Sequence, residues 1–241
     1  MKKLLAGLLL VSSVLSFGAT QRVPIEKLVG NGDGQLLYLE GENKPYSGEV
    51  ERKYPNGKLL GVATMKNGKL EGKAYEYYEN GKVKREETYV DGKANGVAKS
   101  FYENGQVEYE TNFKNSKREG IEKAYSKTGI LLSEVPFKND NATGLVKLYN
   151  EQTGKLEYET NIVNGVRNGL SKKYYPSGKL LSEVVFKNDK EEGIMKAYYE
   201  NGKLQGEAPY KNGQIDGVVK MYDENGKVIE QATFKNGQQV K

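Results

Sequence analysis

The sequence predicts an all-β fold: an elongated antiparallel β-meander of eight tandem hairpins, stacked like a solenoid. Three observations carry this. A glycine recurs at Gly48, Gly72, Gly96, Gly120, Gly144, Gly169, Gly193 and Gly217, a step of 24 residues with a single 25. A turn glycine follows nine residues later in seven copies and ten later at Gly154, where the Asn150–Gly154 turn holds one extra residue. Between the turns the apolar residues recur with period two, which is strand spacing, and no helical stripe appears.

Each copy is numbered here from its opening glycine as position 0, with the extra residue of the fifth copy left uncounted. Position 11 is aliphatic in all eight: Leu59, Val83, Val107, Leu131, Leu156, Leu180, Leu204 and Val228. Position 17 is large and apolar: Met65, Tyr89, Phe113, Phe137, Ile162, Phe186, Tyr210 and Phe234. Position 5 is aromatic in seven copies, from Tyr77 to Tyr222. Two short strands around a glycine turn form a hairpin.

Turn chemistry sets the expected register. A two-residue Asn-Gly loop needs positive φ at both residues, yet Thr128, Thr153 and Ser177 stand at the Asn position of three copies, and β-branched residues resist positive φ. Pro55 and Pro176 precede that position in two copies. Pro-Asn-Gly suits a type I turn closed by a glycine bulge, a three-residue loop that sets position 5 opposite position 11. Extended without interruption, this register puts positions 5, 11 and 17 on one face. Positions 2, 4 and 6, opposite 14, 12 and 10, fall on the other. A second turn after position 18 (Lys66-Asn67-Gly68 and its equivalents) joins hairpin to hairpin, with Ser116, Asp140 and Asp189 replacing glycine in three copies. The opening glycine leaves room for a ring to lie over it, and the position 17 aromatic is the expected cover.

The flanks are read in order. Residues 1–18 read as a secretory signal peptide: Lys2 and Lys3, the apolar run from Leu4 to Leu15, then Ser16-Phe17-Gly18 with small residues at −3 and −1. The run is short for a membrane helix, which takes about 20 residues. Residues 19–47 read as a cap region with a strand at Gln35–Leu39, and residues 48–241 as the eight repeats with a short polar tail.

Composition narrows the function classes. Removing Lys2 and Lys3 lowers the formal net charge from +5 to +3, and both signs alternate along the strands, which excludes a nucleic-acid field. The chain has no His and no Cys, so the commonest general base, the thiol nucleophile and the soft metal ligands are missing. No cofactor motif is present. Two charged columns remain: lysine at position 3 (Lys99, Lys123, Lys147, Lys172, Lys196, Lys220) and glutamate at position 14 (Glu86, Glu110, Glu134, Glu159, Glu183, Glu207). Six copies of one group do not make a catalytic site, which needs unlike groups. Cross-strand pairing is the expectation for both columns. Doubled aromatics place a second ring at Tyr78, Tyr102, Tyr175 and Tyr199. With Lys82, Lys179 and Lys203 beside them, these form the candidate interaction face, because tyrosine is enriched at binding surfaces.

Tyr198-Tyr199-Glu200-Asn201-Gly202-Lys203-Leu204, followed by Tyr210-Lys211-Asn212-Gly213 and a downstream Gly217, resembles the MORN-variant repeat of bacterial proteins. The resemblance implies a meander of hairpins. Related chains are labelled YwqK-family antitoxins, and eukaryotic MORN arrays are associated with scaffolding and phospholipid contact. The expected function is a secreted or envelope-exposed, non-enzymatic scaffold for a protein partner, with host and cell-surface proteins among the candidates. The alternative is an antitoxin-like immunity protein. No residue pattern of this chain argues for lipid contact. Intact-mass measurement of the exported protein is expected to show a mature chain starting near Ala19 or Thr20; retention of residues 1–18 would contradict it.

Overall fold

A computed structural model describes residues 21–30 and 36–240 of the chain. The expected signal peptide, its cleavage junction and the start of the Gln35–Leu39 strand lie outside the described residues. The described part holds no α-helix, and its one helical turn is a 3-10 turn at Ile25–Lys27. The array is all-β. Each repeat supplies the two expected strands, as in Gly96–Phe101 with Val107–Lys114 and Gly120–Tyr125 with Leu131–Lys138. Each strand pairs with its chain neighbour, giving one open, consecutive sheet.

The turn within the repeat has the expected form. In the first repeat the Gly57 N–H donates to the Tyr54 carbonyl at 2.9 Å, and the Tyr54 N–H to the Lys58 carbonyl at 2.8 Å. Gly57 sits at φ 82°, which closes a type I turn with a glycine bulge. Position 5 therefore faces position 11, as at Phe101↔Val107 and Tyr174↔Leu180. The turn between repeats is the tighter two-residue kind, with positive φ at both corners: Asn67 at 50° and Gly68 at 78°. Asn, Asp and Ser take these corners because their short polar side chains tolerate the left-handed region.

The face assignment differs from the sequence expectation. Each hairpin carries a one-residue bulge at position 12, between Val107 and Tyr109 and between Lys173↔Ser182 and Tyr174↔Leu180. Beyond it the pairing is 4 with 13, 3 with 14, 2 with 15 and 0 with 17. A one-residue insertion flips every later side chain to the other face. Position 17 therefore parts from positions 5 and 11 and joins positions 2, 4, 6, 13 and 15. The glutamates at position 14 move to the tyrosine side. Nine of the ten buried side chains among the described residues lie on the position 17 face, including Val50 (2% exposed), Met65, Ala98, Val146, Thr160, Ser171 and Phe186; the tenth, Ser126, is bonded inside its own turn.

The opening glycine also has a different cause. Its φ is positive in all eight copies, from 79° at Gly72 to 155° at Gly48. The register sets position 17 directly opposite it, but in no repeat do the atoms nearest an added Cβ belong to that side chain. At Gly48 it is the Tyr46 phenol that approaches; in the later repeats, where anything does, it is position 16 of the preceding repeat, an added Cβ standing 2.9 Å from Pro136 at Gly144 and 2.6 Å from Pro209 at Gly217. The glycine is required by backbone conformation and by a neighbouring strand.

The cap covers the first edge. Val23–Pro24 pairs parallel with Gly48–Lys53, and Leu28–Gly30 pairs with Leu37–Leu39. Leu37 ties the cap to the first repeat through its N–H to the Gly68 carbonyl at 3.0 Å. Replacing the buried Phe186 by Ala should cost about 3 kcal/mol, as for other buried aromatics. Phe234→Ala should cost less, because its ring is half-buried in the last repeat and has one neighbouring repeat. Chemical denaturation of the two variants measures this, and equal losses would contradict it.

Candidate interaction surfaces

The two rims of the sheet are stitched from repeat to repeat. On one rim the position 6 tyrosines donate to the position 5 carbonyl of the next repeat: Tyr78 to Phe101 at 2.6 Å, Tyr102 to Tyr125 at 2.9 Å, Tyr175 to Tyr198 at 2.8 Å and Tyr199 to Tyr222 at 2.6 Å. Lys82 and Lys203 add ammonium bonds to the Glu103 and Glu224 carbonyls. On the other rim each inter-repeat turn donates an N–H to the carbonyl two residues past the previous turn, as from Gly92 to Leu70 and Asp189 to Arg167.

The sequence-predicted interaction residues thus fall along one rim, on the face that also carries the core, in two groups, Tyr78 with Tyr102 and Tyr175 with Tyr199, separated by the repeats that hold Ser126 and Asn150 at position 6. Tyr78, Tyr102, Tyr175 and Tyr199 are half-buried with their hydroxyls engaged, and Lys82, Lys179 and Lys203 are exposed beside them. The glutamate column expected on their face lies on the opposite one.

The core face opens into a hollow of about 510 Å³, lined by Tyr158, Ser182, Phe186, Glu191, Met195 and Tyr210, among others. Arg167 forms part of its wall. The guanidinium lies 3.9 Å from the Phe186 ring centre while its Nε donates to Asp189 Oδ1 at 2.9 Å. Backbone and side-chain bonds from Arg167 hold the Asp189 carboxyl below its usual range. Arg118, Phe137 and Asp140 repeat the arrangement, with the guanidinium 3.8 Å from the ring centre. The turn positions where aspartate replaces glycine are therefore those where arginine stands ready to pair with it. Burial pushes the Tyr158 phenol up, but its hydrogen bonds to Ser171, Thr160 and Arg167 outweigh this and leave it below its ordinary value.

The opposite face carries the charged columns, and the register interleaves them. From Glu110 onward each Glu at position 14 faces the Lys of its own repeat across one strand pair and the Lys of the next repeat across the other, as in Lys147↔Glu159↔Lys172, while Glu86 faces Tyr75 and Lys99. The result is one row from Glu86 through Lys99, Glu110 and onward to Glu207 and Lys220, with the sign alternating at every step. Ion pairs of 3.5–3.8 Å include Lys220–Glu207 and Lys172–Glu159. The cross-strand expectation holds. Tyrosines at position 5 flank the row: Tyr149, Tyr174, Tyr198 and Tyr222 each donate to the Glu of the previous repeat at 2.7–2.9 Å.

Sequence reasoning missed a further column on this face. Position 1 holds Val97, Ile121, Leu145, Leu170, Ile194 and Val218, all exposed. The signal was present, six aliphatic residues in register, but it escaped notice because the position stands beside the glycine.

This is a solenoid-like single sheet of β-hairpin repeats, the class that lays out long surfaces. The MORN repeat variant family matches the chain at residues 46–67, 70–91, 94–115, 118–139, 167–188, 191–212 and 215–236, so the chain belongs to that family. The stretch between the fourth and fifth matches is the repeat with the extra turn residue, and it has the same two strands, Gly144–Tyr149 and Leu156–Val163. No curated protein matches the chain.

The tyrosine–glutamate contacts carry a pH prediction. Burial, then the hydrogen bond from each phenol to its Glu, pushes Tyr149, Tyr174 and Tyr198 up to about 12. A phenol that holds its proton more tightly when folded stabilises the fold below its unfolded value of about 10 and loses that contribution as pH rises through about 12. Phenolate absorbance should therefore show a late-titrating class in the folded protein. Glu159→Gln should bring Tyr174 back toward its ordinary value, and an unchanged titration would contradict the pairing.

Proposed function

We propose that the chain is an exported, non-enzymatic scaffold that presents the hollow-bearing face of its sheet to a protein partner. The observation that carries this reading is the hollow itself. It combines aromatic and apolar walls with Ser182, Glu191 and the Arg167 guanidinium, the mixture that suits a protein contact. The repeat supports the same reading, because one 24-residue unit offers too little surface for a specific interface, which takes about 800 Å² per partner, and adjacent copies present a continuous one. Export rests on the charged and apolar N-terminus of the sequence. In the antitoxin-like version the same face would hold an exported toxin, and the two versions differ only in what is captured.

Capture from periplasm and culture medium with the mature chain as bait is expected to recover a protein whose affinity falls with Met195→Ala and Phe186→Tyr in the hollow. Tyr175→Ala and Tyr199→Ala should weaken binding modestly, and the pair should compound. They should also lower the melting temperature, because each removes a bond between repeats. Affinity untouched by all four changes would refute this face as the binding surface.

A further inference from the structure

The face opposite the hollow carries an exposed apolar row with a strictly alternating charged row beside it. Val97, Ile121, Leu145, Leu170, Ile194 and Val218 are between 38% and 53% exposed. Scattered apolar residues on a surface need no explanation, but six in register on alternate strands, with Asn112, Pro136, Asn161, Val185 and Pro209 on the strands between them, do. Position 1 pairs with position 16 and position 3 with position 14, so the apolar row runs two residues from the charged row, on the same strands and the same face.

The charges say what can cover this row. The twelve residues from Glu86 to Lys220 are six Glu and six Lys in alternation. Such a row has no net charge with which to attract an acidic protein, a basic protein or an anionic membrane. It is instead its own complement. Reversing an alternating row of even length about its centre sets an opposite charge against every member: Glu86 meets Lys220, Lys123 meets Glu183 and Lys147 meets Glu159.

A twofold axis along the strand direction performs this reversal. The same operation shifts the apolar row by one strand. Leu145 of one copy then stands over Asn161 of the other, Leu170 over Pro136 and Ile121 over Val185, so the aliphatic knobs interdigitate rather than collide. Twelve strands about 4.8 Å apart make the face about 50 Å long, and a strip about 16 Å wide then reaches the ~800 Å² per partner of a stable interface. Sheet twist concentrates the contact at the axis, near Leu145 and Leu170.

We propose that this face pairs with the same face of a second copy of the chain, antiparallel, about a twofold axis between Lys147 and Glu159. The pairing requires no other partner and leaves the hollow on the outside of the pair.

Sedimentation velocity of the mature chain alone, from about 1 µM to about 1 mM, tests it across the range of weak to moderate affinities. The expected result is a concentration-dependent monomer–dimer equilibrium. Leu145→Asp with Leu170→Asp should abolish the dimer with the melting temperature of the monomer unchanged, because both side chains are exposed. Val97→Asp, far from the axis, should weaken it by a smaller factor. A wild-type chain that stays monomeric throughout, or a dimer that survives the double substitution, would overturn the proposal. Flotation with vesicles of phosphatidylcholine and phosphatidylglycerol completes the test. A monomeric chain that floats, and stops floating when both leucines are replaced, would assign the row to lipid and overturn the pairing of copies. Because the chain is tested alone, failure here leaves the scaffold reading standing.

Discussion

The bulge at position 12 is the constraint on which the remaining structure depends. The three-residue loop alone pairs position 5 with position 11, and an uninterrupted ladder would carry that register to the end of the hairpin. One extra residue on the second strand changes the partner of every position beyond it. It brings Lys onto Glu, separates the position 17 rings from the position 5 tyrosines, and assigns one face to the core and the other to charge. Because the same bulge recurs in every hairpin, its effects line up. Lysines and glutamates merge into one row, and the buried side chains merge into one layer.

That layer is thin, and the array compensates at its rims. Only six hydrophobic side chains are buried among the described residues, and two of them are the small Ala94 and Ala98. A single sheet has no second layer to press its apolar face against. Stability is therefore distributed along the stack, where turn amides bond repeat to repeat on one rim and, wherever position 6 is tyrosine, a phenol hydroxyl does so on the other. Each bond of this kind contributes about 1 kcal/mol, and its recurrence is what gives a thin sheet its length.

The fold was largely legible in the sequence because glycine, asparagine and proline report on local backbone. Pro55 and Thr128 excluded a two-residue loop within the repeat, and the structure has the three-residue loop. The bulge was not read directly, since position 12 holds residues as different as Leu60, Glu108 and Gln205. An indirect signal did exist. Loop geometry pairs positions that sum to 16, whereas setting every Lys at 3 against every Glu at 14 requires a sum of 17, so one residue must be extruded between loop and ladder. The candidate interaction residues were legible as a column and illegible as a face for that same reason. The exposed row at position 1 was visible only as a column of aliphatic residues beside a glycine whose role is conformational.

Disulfide trapping reads this register most directly, and the absence of native cysteine gives it a clean background. Residues directly opposite on antiparallel strands have Cα atoms about 4.5–5.5 Å apart, within reach of a disulfide. With the bulge in place, Lys172 faces Glu183; without it, Lys172 would face Ser182. Lys172→Cys combined with Glu183→Cys is predicted to oxidise readily in the folded chain, and Lys172→Cys combined with Ser182→Cys is predicted to stay reduced. The reverse pattern would show an uninterrupted ladder and would contradict both the face assignment and everything built on it.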